Sequence, residues 1–323
     1  LIGLPTKEAI RRESNAICAE ALSVTFMAAI VAAANLLQLG YVLFPELGAL
    51  SSDVLLRPQG KWAKVPWQLI ATPTLTAVLG IAVGRIAPYG VIPILFTMVA
   101  SIGIIRFLRS AVAPAISAGV LPIVLGVTSW LYPLCILGTL TALTALLLLW
   151  RTTPIGKGLS GQSSAARNTV EVLESPPQAK GWFVALFGFV AIMGGAAQFT
   201  GWRFLLFPPL IVIAYEMLGH PETCPWAKRP FVFPMICSVA ALAGVESVLK
   251  IGVNPVSSTL VLAMTLVLLR VCKLRMPPAL AIGLIPFVMS SPTPNYAVSV
   301  LIGTLALTLW FLAFRKLILR TLK

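Results

Sequence analysis

Charge and histidine are what this chain has least of. Only 11% of its 323 residues are charged, ten residues are acidic, and the single histidine is His220. Hydrolytic or metal-assisted chemistry draws on clustered carboxylates, a histidine or a metal set in one groove, and no such cluster is visible in the spacing. The reading is therefore not an enzyme, with no cofactor and no metal site. The loop His220-Pro221-Glu222-Thr223-Cys224 does not match a zinc ligand set and reads as solvated. The cysteines, Cys18, Cys135, Cys224, Cys237 and Cys272, are scattered and read as packing residues. No basic stretch is long enough to track phosphates, which excludes nucleic acid as a partner despite a net charge of +14.

Apolar residues make up 58% of the chain. Runs such as 134–150, 181–200 and 296–314 approach the roughly 17–25 residues that carry a helix across about 30 Å of hydrocarbon. With no water in that layer, backbone groups must be satisfied within a helix or a closed barrel, and runs this long exclude a barrel. The expected fold class is all-α: a polytopic helical membrane protein whose first partner is the lipid bilayer.

The sequence repeats itself. Phe44-Pro45 returns as Phe207-Pro208, Asp53 as the acidic Glu216 and Asn35 as Gln198, each 163 residues later. One residue further on, at 164, Trp62-Ala63-Lys64 returns as Trp226-Ala227-Lys228. Gly80, Arg106, Arg109 and Pro114 return as Gly244, Arg270, Lys273 and Pro278, and Gly119, Pro122 and Tyr132 as Gly283, Pro286 and Tyr296. The chain divides into a cytoplasmic amphipathic lead-in (1–16), a first membrane repeat (17–150), a polar linker rich in Pro, Gly and Ser (151–180), a second repeat (181–316) and a basic tail (317–323).

Each repeat holds four long and two short hydrophobic segments. In the first they lie at 17–41, 44–56 (short), 66–86, 89–106, 112–127 (short) and 131–150. In the second they lie at 181–202, 207–219 (short), 231–250, 254–272, 277–290 (short) and 294–314. As helices the short ones would be about 20–24 Å long, so each is a re-entrant hairpin or a thin, partly unwound crossing. Basic residues arbitrate, because cytoplasmic loops concentrate them. If all twelve segments cross and both termini are cytoplasmic, every one of the 24 Lys and Arg except Arg85, Arg203 and Lys250 falls inside. Twelve crossings are expected, with the two repeats in parallel orientation about an axis along the membrane normal.

Residues 276–286, Met276-Pro277-Pro278-Ala279-Leu280-Ala281-Ile282-Gly283-Leu284-Ile285-Pro286, resemble the HPPAGATALLP-type segment of the HPP family of integral membrane proteins. Val112-Ala113-Pro114 through Pro122 resembles it more loosely. Phe207-Pro208-Pro209-Leu210 followed by Pro225-Trp226-Ala227-Lys228-Arg229-Pro230 is similar to that family's first short segment and loop. The family's histidine is replaced by Met276 and Val112. The resemblance implies a transporter-like role, with nitrite the solute associated with plant and cyanobacterial members. It also implies a bacterial plasma membrane, or alternatively a chloroplast envelope.

Short segments interrupted by Pro and Gly at matching positions of two halves point to a transport pathway, because broken helices expose backbone groups near mid-depth. The candidates are Phe44, Glu46, Ser51, Ser52 and Asp53 with Pro114 and Gly119, and Phe207 and Glu216 with Pro278 and Gly283. The competing reading is close helix packing. Asp53 and Glu216 are candidate proton relays or partners of Arg57 and Lys228; Glu20 and Glu246 are further intramembrane acids. Asn35 and Gln198 bind a polar solute or bond across helices. Arg106, Arg109, Arg270 and Lys273 either gather an anion at an inner mouth or only set topology. The functional expectation is a transporter or channel for a small solute, most simply an anion, with a homo-oligomer left open. The alternatives are a non-transporting scaffold or lipid-binding subunit, or a lipid-processing membrane enzyme.

Overall fold

A computed structural model describes residues 7–160, 176–177 and 179–321. Among them regular structure is helical throughout, with no strand. The first copy comprises α1 (Lys7–Leu37), α2 (Glu46–Leu56), α3 (Lys61–Lys64), α4 (Pro66–Ile86), α5 (Val91–Phe107), α6 (Ala115–Leu125) and α7 (Leu131–Thr152), followed by α8 (Pro154–Ser160). The second comprises α9 (Trp182–Thr200), α10 (Pro208–Gly219), α11 (Val232–Ile251), α12 (Pro255–Val271), α13 (Pro278–Leu284) and α14 (Asn295–Thr321). The 3-10 turns Gly40–Val42 and Arg203–Leu206 precede α2 and α10, and Ile285–Phe287 prolongs α13.

Six helices among the described residues are long and apolar enough to cross a membrane: α1 from Ile10, α4, α7, α9, α11 and α14. Their outward faces carry large apolar side chains, among them Leu36, Leu149, Phe199 and Leu309, as do Phe96 and Phe107 on α5. Apolar surface of that extent marks a contact face in water; against hydrocarbon it is the face that matches its solvent. The chain is a polytopic helical membrane protein.

Prolines start α4, α10, α12 and α13, where the missing N–H costs nothing. Asn254 caps α12, accepting from Val256 N at 2.9 Å and Ser257 N at 3.0 Å. The sequence repeat recurs as repeated contacts. Tyr132 donates to Ala118 O at 3.0 Å and Tyr296 to Ile282 O at 2.8 Å. Arg109 and Lys273 share a left-handed φ of 49° and 48°. Gly80 abuts the Gly119 carbonyl and Gly244 the Gly283 carbonyl, too closely for any Cβ.

The copies interlock. Helix α1 packs on α12 of the other copy and α9 on α5; α2 packs on α13, and α10 on α6. Arg270 bonds Glu20 and, at the far end of the same helix pair, Asn35 Nδ2 donates to Val253 O at 2.8 Å, so α1 and α12 run antiparallel. The second pair repeats this: Arg106 lies over the Trp182 ring, and Val91 N donates to Gln198 Oε1 at 2.9 Å at the other end. Each apolar core is completed by residues of the opposite copy. Leu262, Leu280 and Leu284 join the core of α1, α2, α4 and α7, and Ile94, Met98, Ile116 and Val120 join that of α9, α10, α11 and α14.

Four short helices fill the interior. All the residues of α6, α10 and α13 apart from Leu125 are buried, and all of α2 except Leu56. At 11 or 12 residues, α2, α6 and α10 are only about 16–18 Å long, yet their segments traverse the bundle. The end of α2 is held where Trp150 donates to Leu55 O and Arg151 to Pro58 O, whereas the chain before it closes on Ala34 near the opposite end. Segment 108–128 passes from the loop that Gln68 holds at Leu108 O to Thr128 O, a partner of Arg85. The short segments are thus half-helical crossings.

Three boundaries differ from the expectation. The lead-in is not separate: α1 is continuous from Lys7, because Arg11, Arg12 and Glu13 are compatible with a helix that simply extends beyond the apolar layer. The linker begins as helix, with α7 reaching Thr152 and α8 formed after Pro154; residues 161–175 lie outside the described residues. Instead of ending at 314, α14 continues through Arg315 and Lys316 to Thr321.

Candidate functional site

The N-termini of α2 and α6 meet inside the bundle. Glu46 opens α2 and is 2% exposed; Ser117, in the first turn of α6, donates to its Oε1. The other carboxylate oxygen, Oε2, is buried without a hydrogen-bond partner among the described residues. Both helices point their positive ends toward this junction. In the second copy the equivalent positions are Pro209 and Ala281, so the polar junction exists in one copy only. Thr72, Thr97 and Ser101 of the first copy also bury hydroxyls without partners. Two of their counterparts, Ile236 and Val261, are apolar, and the third, Thr265, bonds Val261 O at 2.7 Å.

A cavity of about 570 Å³ opens at the basic end of the bundle, lined by Lys61, Lys64, Arg106 and Arg109 with Gln68 and Tyr215. Among the described residues that line it, none is acidic. Trp62 Nε1 donates to Ala111 O at 2.7 Å, fixing the loop that forms one wall. The cavity reaches inward to Ala113, immediately before α6.

A second cavity, of about 270 Å³, occupies the equivalent place beside Arg270, Lys273, Arg275 and Ser52. Two acids, Glu20 and Asp53, partly offset its cations. Arg270 bonds Glu20 Oε2 at 2.6 and 2.9 Å, and Asp53 accepts a bidentate pair from Arg57 at 2.5 and 2.6 Å with Arg275 at 4.0 Å. Loop 108–114 and loop 272–277 are therefore similar backbones whose cavities differ in charge: among the described lining residues, acids stand beside the cations in the second cavity only.

The candidates separate accordingly. Arg106 and Arg109 line the first cavity, Arg270, Lys273, Ser52 and Asp53 the second. Glu46 reaches the junction; Ser51 instead bonds Ser23 Oγ at 2.8 Å. Asn35 and Gln198 hold helix ends together. Phe44 and Phe207 are core residues preceding the short helices, Pro114 and Pro278 start theirs, and Gly119 and Gly283 pack against neighbouring helices. Glu216 is buried, its carbonyl accepting from His220 N. His220 itself is buried, not solvated, because the turn after α10 is covered where Ala179 N donates to Gly219 O. Sequence reasoning missed Ser117, Lys61, Lys64 and Tyr215 as site residues. Comparing the two copies at Glu46/Pro209 and Ser117/Ala281 carries the signal for the junction.

The fold and these sites define a helical membrane protein with short buried helices in its interior and a cavity lined by Lys61, Lys64, Arg106 and Arg109. Comparison with family models, with curated proteins and with solved structures finds no match.

Proposed function

We propose that this chain is a membrane transporter or channel for small anions, admitted through the cavity at Lys61, Lys64, Arg106 and Arg109. The observation that carries this reading is the gathering of Lys61, Lys64, Arg106 and Arg109 around one cavity, whereas Glu20 and Asp53 line its repeat-related counterpart beside Arg270, Lys273 and Arg275. A cleft of one charge sign with low-dielectric walls raises the local concentration of counter-ions, and its inner wall adjoins the buried half-helices, where helix N-termini favour negative charge. Nitrite-sized anions are the first class to test, in keeping with the HPP-type segment at 276–286. The basic end is assigned to the cytoplasm by the positive-inside rule.

Binding is measurable on purified protein. The thermal midpoint is expected to rise with the concentration of the recognised anion, because a ligand of the folded state stabilises it. Lys64→Ala with Arg109→Ala is expected to abolish that rise. An equal rise in the double variant would place the anion elsewhere and remove this cavity from the reading.

A further inference from the structure

We propose that Glu46 is a proton-binding site and that it couples anion movement to protons; the coupling rests on the transport reading above, the site on geometry alone.

The placement comes first. Glu46 sits where two buried half-helices meet N-terminus to N-terminus, with Oε1 bonded to Ser117 and Oε2 left without a partner. A carboxylate oxygen buried without a hydrogen-bond partner is costly, and a proton is the smallest ligand that can occupy it. The groups around Glu46 offer no alternative. Helix α6 contributes Ser117; the hydroxyls of Tyr132 on α7 and Tyr296 on α14 are within electrostatic range, and both donate to backbone carbonyls. Helix α1 supplies Ser23, which bonds Ser51, and α12 and α13 supply Leu262, Leu280 and Leu284 against Gly48. Among the described residues no cation forms an ion pair with Glu46. Asp53 lies two turns along α2, held by Arg57 and Arg275, so the acid at the repeated position is occupied and the unrepeated one is not.

Protonation forms an O–H bond at Oε2 with a proton taken from hydronium, which leaves as water, and deprotonation returns that proton to water. Since Pro209 and Ala281 stand at the second-copy positions, one such proton is expected per chain, not two.

Two readouts on liposome-embedded protein test this. Infrared difference spectra between acidic and alkaline buffer are expected to show a protonated-carboxyl band in wild type that is lost in Glu46→Gln and shifted in Ser117→Ala. An acid-outside gradient is expected to accelerate anion uptake in wild type and Glu46→Asp but not in Glu46→Gln. A band that persists in Glu46→Gln, or undiminished acceleration in it, overturns the assignment. Should Glu46→Gln not fold, Ser117→Ala decides: a shifted band supports the site, an unshifted one overturns it. Absence of any anion flux in wild type would sink the transport reading and the coupling with it, while the infrared result still decides the proton site.

Discussion

Gly80→Leu and Gly244→Leu are each expected to leave little or no folded protein in the membrane. At both positions the added Cβ would meet a backbone carbonyl of the neighbouring half-helix, Gly119 or Gly283, with a proline ring, Pro122 or Pro286, beside it. Neither a carbonyl within a helix nor a proline ring can rotate aside. Overpacking where side chains can adjust costs typically about 1–3 kcal/mol; here adjustment would separate α4 from α6, or α11 from α13, and the cost should exceed that range. Gly103→Leu is the control, because nothing stands within 4 Å of its added Cβ. Monodisperse yield from membranes reads the difference. Normal yields of both variants would mean that the half-helices do not pack as described.

The second large effect concerns charge. Lys64→Glu combined with Arg109→Glu is expected to lower anion uptake by about tenfold or more at low salt, within the roughly 10–10³-fold range by which a focused potential changes on-rates. The deficit should narrow as salt screens the cavity mouth. Both side chains are exposed, so the fold should survive. Lys273→Glu in the counterpart cavity should do much less, because Glu20 and Asp53 already offset part of that site's positive charge. Equal losses from the two cavities would contradict the division of labour between copies.

Most of the helical framework was legible in the sequence, because membrane spans are written in long apolar runs and their ends in local punctuation. Pro66, Pro208, Pro255 and Pro278 each begin a helix where the segments were expected. The repeat was legible through Trp, Gly and Pro residues whose contacts recur in the structure. The exchange of partners between copies was not, because α1 on α12 and α9 on α5 are apolar faces that carry no local mark of their neighbour. The Asp53–Arg57 pair follows from a four-residue spacing on one helix, whereas Arg275 reaches Asp53 only through tertiary packing. The first cavity was half legible: Arg106 and Arg109 stood out beside a short segment, but Lys61 and Lys64 come from the short helix α3, more than forty residues earlier. Glu46 and Ser117, 71 residues apart, meet only because both half-helices begin at one depth.

The most direct test of the account is uptake of nitrite and a panel of other small anions into liposomes containing the purified protein. Saturable uptake of at least one anion, strongly reduced in the Lys64→Glu, Arg109→Glu variant, is the expected result. Uptake no greater than that of protein-free liposomes for every anion would contradict it.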